Sequence, residues 1–195
     1  LFEGKYMKKL HCFLFLFAIL FFIVMTAYCL FIKNHYNGDT LENIKNTIHV
    51  FYDDLPKNEI QIIDIITIDN YKIAGFYNHN KVGIITFQKQ KQHYEFHTIT
   101  YRNIGNKAIN LFSFSYYDIY NNYHDYDIST NFNTHLKYFY RQKNNEPPKK
   151  FIVDNIPSMI FINNGKTENG FHITYHFYDE TENEKAHYEE QAQIL

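Results

Sequence analysis

Residues 13–24 read FLFLFAILFFIV, twelve consecutive side chains without a polar atom. Strands of globular proteins usually end within about ten residues. An apolar run of this length therefore reads as a helix in hydrocarbon. The wider stretch, residues 10–32, holds 23 residues. As a helix it would be about 35 Å long, enough to cross roughly 30 Å of hydrocarbon with some tilt. Eleven of the twelve central residues are Leu, Ile, Phe or Val. Together they favour insertion by roughly 3–7 kcal/mol.

A cleaved signal sequence begins in the same way, but cleavage wants small residues at two positions before the cut. Met25 with Ala27 does not satisfy that pattern, and Tyr28 spoils a lipoprotein cut before Cys29. The sequence thus predicts an uncleaved, single-pass anchor. Lys5, Lys8 and Lys9 precede it, whereas Lys33 follows with Asp39 and Glu42 close behind. Positive-inside bias then puts the N-terminus in the cytoplasm and the rest outside a plasma membrane. The expected organisation is an over-annotated leader at 1–6, with Met7 as the start, then a cytoplasmic stub and transmembrane anchor at 7–33. An extracytoplasmic β-rich domain follows at 34–178, and an acidic tail at 179–195.

The formal charge is −2, from 19 basic and 21 acidic residues. Four of the basic residues and one acidic residue fall in the first 33, so the remainder carries −5. That balance excludes a nucleic-acid partner, which needs a concentrated positive face. Both cysteines, Cys12 and Cys29, lie in the anchor, so the outer domain has no disulfide. Asn, Ile, Lys, Tyr and Phe, whose codons are AT-rich, dominate, and Trp is absent. The bias points to an AT-rich bacterial genome.

After a short polar linker at 34–39, residues 40–52 show helical spacing. Leu41, Ile44, Ile48 and Phe51 share a face, Thr40 can cap the start, and Pro56 bars continuation. From residue 59 the sequence turns β-like. Strands are expected at 59–68, 71–77, 81–87, 94–101 and 108–117, forming an antiparallel meander. A long Asn-rich loop is expected at 118–133, then strands at 136–141, 159–162 and 171–177. The tail from Asp179 carries six acids against Lys185 and reads as solvated and partly disordered. The fold class is α+β: one amphipathic helix on a mainly antiparallel sheet, with two packed layers compatible with the weak alternation.

Two His-x-x-x-His pairs suggest metal ligands: His93 with His97, and His172 with His176. Neither is the metalloprotease motif, since Tyr94 and Ile173 stand where the general-base Glu belongs. In a strand, i and i+4 lie roughly 13 Å apart, too far to share one ion. A site would need the strands to pair, so that His93, Glu95 and His97 meet His172 and His176. Asp125, Asp127, Ser129 and Asn131 imitate half a calcium loop, but Thr130 replaces the required Gly and Leu136 the bidentate Glu. That segment reads as a solvated loop. Tyr117, Tyr120, Tyr123 and Tyr126 form the best surface candidate, because exposed rings can stack on sugars or peptides.

No nucleophile elbow, phosphate loop or dinucleotide fingerprint occurs, and no cofactor is implied. The expected role is non-enzymatic binding or accessory work at the bacterial cell envelope. Its partners would be the membrane, through residues 10–32, and a protein or cell-wall component. The alternative is a metal-binding, hydrolytic domain built on the strand histidines.

Overall fold

A computed structural model of the chain describes residues 3–52, 55–104, 109–132, 135–165 and 171–192, with side chains at 14–31, 36–190 within those segments. The side chains of the flanking lysines Lys5, Lys8, Lys9 and Lys33 and of Cys12 lie outside what is described, as do residues Ala108 and Asn133 altogether.

Helix α1 spans Glu3–His35. Its segment Leu14–Phe31 is long and apolar enough to cross a membrane, by length and composition, and none of it is buried. Thr26 donates its hydroxyl to the Phe22 carbonyl at 2.8 Å, so this polar group is answered within the helix. The chain then docks on the domain. The Gly38 amide donates to the Tyr94 carbonyl at 2.7 Å, and the Asp39 carboxylate accepts from the Tyr94 amide at 2.8 Å. Lys72 Nζ donates to the Gly38 carbonyl at 2.5 Å. Gly38 lies so close to Phe87 that an added Cβ would stand 2.6 Å from its ring, which explains a glycine here.

Helix α2 is Leu41–Phe51, one residue short at each end of the sequence expectation. The Thr40 hydroxyl accepts from the Asn43 amide at 3.1 Å, as an N-cap should. Eleven strands follow among the described residues. The first sheet is a meander of β1 (Gln61–Ile68), β2 (Tyr71–Tyr77), β3 (Lys81–Gln90) and β4 (His93–Asn103), in that order. The second runs β5 (Ile109–Tyr117), β6 (Tyr123–Asn131), β9 (Ser158–Asn163). The third contains β7 (Leu136–Lys143), β8 (Lys149–Ile152), β10 (Phe171–Asp179) and β11 (Glu184–Ala192), ordered β11-β10-β7-β8. Every named pairing is antiparallel. The class is α+β, with mostly antiparallel sheet and two α-helices, the N-terminal one apolar.

Both faces of β2 and β3 are buried, which is why their sequences lack alternation. Ala74, Phe76, Ile85 and Phe87 meet Ile44 and Ile48 of α2. Tyr71, Ile73, Val82 and Ile84 point the other way and share a cluster with Phe112, Phe114 and Ile128 of the second sheet. A third cluster joins Ile109 and Ile162 to Leu136, Phe139, Ile173, Tyr175 and Phe177 of the third sheet.

Three expectations are corrected. Four strands, not five, form the meander, because β5 leaves to start the second sheet. Residues 123–131, expected within a loop, form the central strand β6, although Asp125, Asp127, Ser129, Thr130 and Asn131 are all buried. The tail expected to be solvated supplies β11. Its Ala186 and Tyr188 alternate with His187 and Glu189, so the acids screened a half-apolar strand from a charge-based reading. Strand β8, only four residues long, was not expected at all.

Candidate functional site

The tyrosine segment ends in the β5–β6 hairpin, whose tip is held by one carboxylate. Asp118 accepts hydrogen bonds from the amides of Tyr120 and Asn122, each at 2.8 Å, and from the Asn122 side chain at 2.9 Å. His124 Nε2 lies 3.1 Å from it. These donors, the Asn122 side chain foremost, hold the Asp118 carboxyl well below the usual carboxylate range. The tip thereby presents Ile119 and Tyr120, each 79% exposed, on an ordered turn.

Beside it opens a cleft of about 410 Å³ between the hairpin and the β1–β2 turn, lined by Asp69, Asn70, Gln88, Tyr116, Tyr117 and Tyr120 among others. The Tyr116 hydroxyl donates to Asp69 Oδ2 at 2.5 Å, tying the two hairpins together. Burial first, then the Asp69 carboxylate, pushes the Tyr116 hydroxyl far above its ordinary pKa. Of the four expected tyrosines, Tyr117 and Tyr120 line the cleft. Tyr123 sits outside it with its ring 5.3 Å from that of Tyr117. Tyr126 is buried and packs against Phe161, so it builds the core. Asp69 and Asn70 were legible only as a turn, and Gln88 carried no signal.

The cleft lies at the end of the first sheet where α1 delivers the chain. Tyr71 pairs with Gln88 and Gln90 with His93, so the β1–β2 and β3–β4 turns share that end. Residues 37–39 dock on His93, Tyr94 and Glu95 beside it.

The five candidate metal ligands do not converge. His93, Glu95 and His97 lie on β4, which pairs with β3, while His172 and His176 lie on β10, which pairs with β7 and β11. His93 Nδ1 stands 2.6 Å from Asp39 Oδ2, the contact that helps dock the linker. The His97 ring meets Tyr71 at 5.6 Å. His172 Nε2 lies 2.5 Å from Glu189 Oε1. His176 alone finds a converging set, and its companions come from the segment expected to be tail. His187 is directly opposite it in the ladder, and Glu184 Oε1 lies 3.1 Å from His176 Nδ1 and 3.8 Å from His187 Nδ1.

A third constellation is buried between the second and third sheets. The Tyr175 hydroxyl donates to Asp127 Oδ2, and Arg141 Nε lies 3.7 Å from the same oxygen. Arg141 Nη2 donates to Asn164 Oδ1 at 2.5 Å, Lys143 Nζ donates to the Asn164 carbonyl, and Asn164 Nδ2 donates to Asp125 Oδ2 at 3.0 Å. Burial raises the Asp127 carboxyl despite the pull of Tyr175, Asn164 and Arg141. Burial also raises Glu190, with Asp127 and Asp125 adding repulsion. These residues do not line the cleft beside the β5–β6 hairpin. Their arrangement locks two sheets in register.

No known protein family, curated protein or solved structure matches the chain.

Proposed function

We propose that the chain is a membrane-anchored, non-enzymatic binding domain on the outer face of a bacterial plasma membrane. Its cleft between the β1–β2 turn and the β5–β6 hairpin takes a protein or cell-wall component. The reading is carried by Leu14–Phe31, an apolar helix that buries nothing against the domain it leads into. Leaving eighteen such residues in water would be very costly, whereas lipid accommodates them. The lysines before the helix support a cytoplasmic N-terminus, and the AT-rich composition supports a bacterial source. In this reading the sheets pack as layers, supported by the apolar clusters they share.

Because the linker docks at the cleft's end of the domain, the cleft works near the plane where the anchor leaves the bilayer. Tyr117 and Tyr120 give it rings for stacking, and Asp69, Asn70 and Gln88 give it hydrogen-bonding groups.

Two experiments test this reading. The full-length chain, expressed with its own N-terminus, should stay in the membrane pellet after alkaline carbonate, and protease added outside intact cells should remove the domain. Release by carbonate, or protection from outside protease, would overturn the placement. A chain carrying Tyr117→Ala and Tyr120→Ala should lose the partner that the wild type cross-links in membranes. Unchanged cross-linking would remove the cleft from the proposal.

A further inference from the structure

We propose that His176, Glu184 and His187 form a binding site for a zinc-type divalent metal ion on the outer face of the β10–β11 hairpin. One ligand atom from each residue can be chosen so that all three lie within 4.8 Å of one another. A tetrahedral ion with bonds of about 2.0–2.2 Å has its ligand atoms roughly 3.3–3.6 Å apart. The Glu184 oxygen stands 3.1 Å from one imidazole nitrogen and 3.8 Å from the other. Both Glu184–imidazole distances are within a few tenths of an ångström of that spacing, and the two imidazole nitrogens lie within 4.8 Å of each other. The two rings, 4.3 Å apart between centroids, are already neighbours.

The backbone is irregular at the place the site requires. Positions 184 and 187 are three residues apart, so in a regular strand their side chains would point to opposite faces. The ladder shifts here: Phe177 pairs with Ala186, but Tyr178 pairs with Glu184. Lys185 is the extra residue of this β-bulge, and its ammonium group turns away to Asp179, 2.8 Å from Oδ2. The bulge thus brings Glu184 onto the face of His187, while the Lys185 ammonium group goes to Asp179. Asp179 is held in turn by the amides of Thr181 at 2.9 Å and Asn183 at 3.0 Å, which fixes the hairpin turn below the site.

Two imidazoles and one carboxylate form a donor set suited to zinc, and three protein ligands leave a tetrahedral ion one further position. His176 also lines a shallow cleft of about 270 Å³ with Tyr140, Gln142, Pro148 and Tyr178. A group taken up there would sit beside the ion.

The test uses the full chain in detergent, stripped with chelator and titrated with zinc chloride by calorimetry and with cobalt(II) by visible absorption. The expected result is one ion per chain, with the intense d–d bands of tetrahedral cobalt. Glu184→Gln and His187→Ala should each weaken binding at least about tenfold. His93→Ala, on the other sheet, should leave it unchanged. Zinc should raise the unfolding temperature of the wild type but not of the double variant His176→Ala, His187→Ala. No binding by the wild type, or binding that survives the double variant, overturns the proposal. Circular dichroism of the variants, matching the wild type, keeps loss of metal separate from loss of fold.

Discussion

Under α2, Ile44, Ile48 and Leu55 meet Ala74, Phe76, Ile85 and Phe87, and the buried hydroxyl of Thr47 is answered one turn back by the Asn43 carbonyl. Between the second and third sheets, Asp127, Arg141, Lys143 and Tyr175 are just as inaccessible, yet three of the four bear ionisable charge. The first region is held by area removed from water, which acts in no particular direction. The second is held by partners that must all be present, because each lone charge would be costly there. An apolar core should lose stability piece by piece, whereas an ionic core should fail as a unit.

Arg141→Met should have the largest effect. It strands Asp127 among Tyr175 and Asn164, and about 3–5 kcal/mol of stability should disappear in denaturant unfolding of the full chain. Adding Asp127→Leu to it should recover part of that loss, because the uncompensated charge goes too. If the two losses simply add, the network is not a unit and the contrast with the α2 core fails. Ile48→Ala, wholly buried in the other region, should cost about 3 kcal/mol and be insensitive to any change at Asp127.

Gly83→Ala probes the packing of the first sheet. A Cβ there would stand 2.5 Å from the Phe76 ring and 2.6 Å from the Thr100 carbonyl. The carbonyl belongs to the backbone and cannot swing away, so a loss of about 1–3 kcal/mol is expected in the same unfolding assay.

Acid acts with opposite sign on the ionic core and on the carboxylates that hold the hairpin turns. Asp127 and Glu190 bind protons more tightly folded than unfolded, so their contribution is fullest below the ordinary carboxylate pKa of about 4 and fades as pH rises through their raised values. Asp118 and Asp179, depressed by their hydrogen-bond donors, stabilise above about pH 4 and lose this as pH falls through their folded values. Unfolding midpoints measured from pH 7 down to 4 should therefore fall more steeply in Asp127→Asn than in the wild type. Parallel curves would show that burial does not perturb Asp127. Thr40→Ala should have the smallest effect, about 1 kcal/mol from the lost cap on α2.

The two regions also differed in how much the sequence disclosed. Helix α2 was legible because Ile44 and Ile48 recur at helical spacing between Thr40 and Pro56. The β5–β6 half of the aromatic cleft was legible through Tyr117 and Tyr120. Its other half was not, because Asp69 enters from a turn and Gln88 from a strand, both distant in sequence. Strand β6 was hidden by its own Asp, Ser and Asn, whose burial makes sense only once Arg141, Lys143 and Asn164 arrive from elsewhere. His187 and Glu184 lie inside a run of acids that hides them, although a bulge makes them neighbours of His176.

The sequence alone determined an apolar helix within 10–32, the capped α2 and most strand positions, since these depend on local periodicity and on free energies that scale with residues in a row. Tertiary structure decided the partition into three sheets, the buried ion network and the His176–Glu184–His187 convergence. Each of these requires groups from separate strands to meet within a few ångströms. Coulombic and coordinate bonds fall away over such distances, and spacing along the chain carries no record of them.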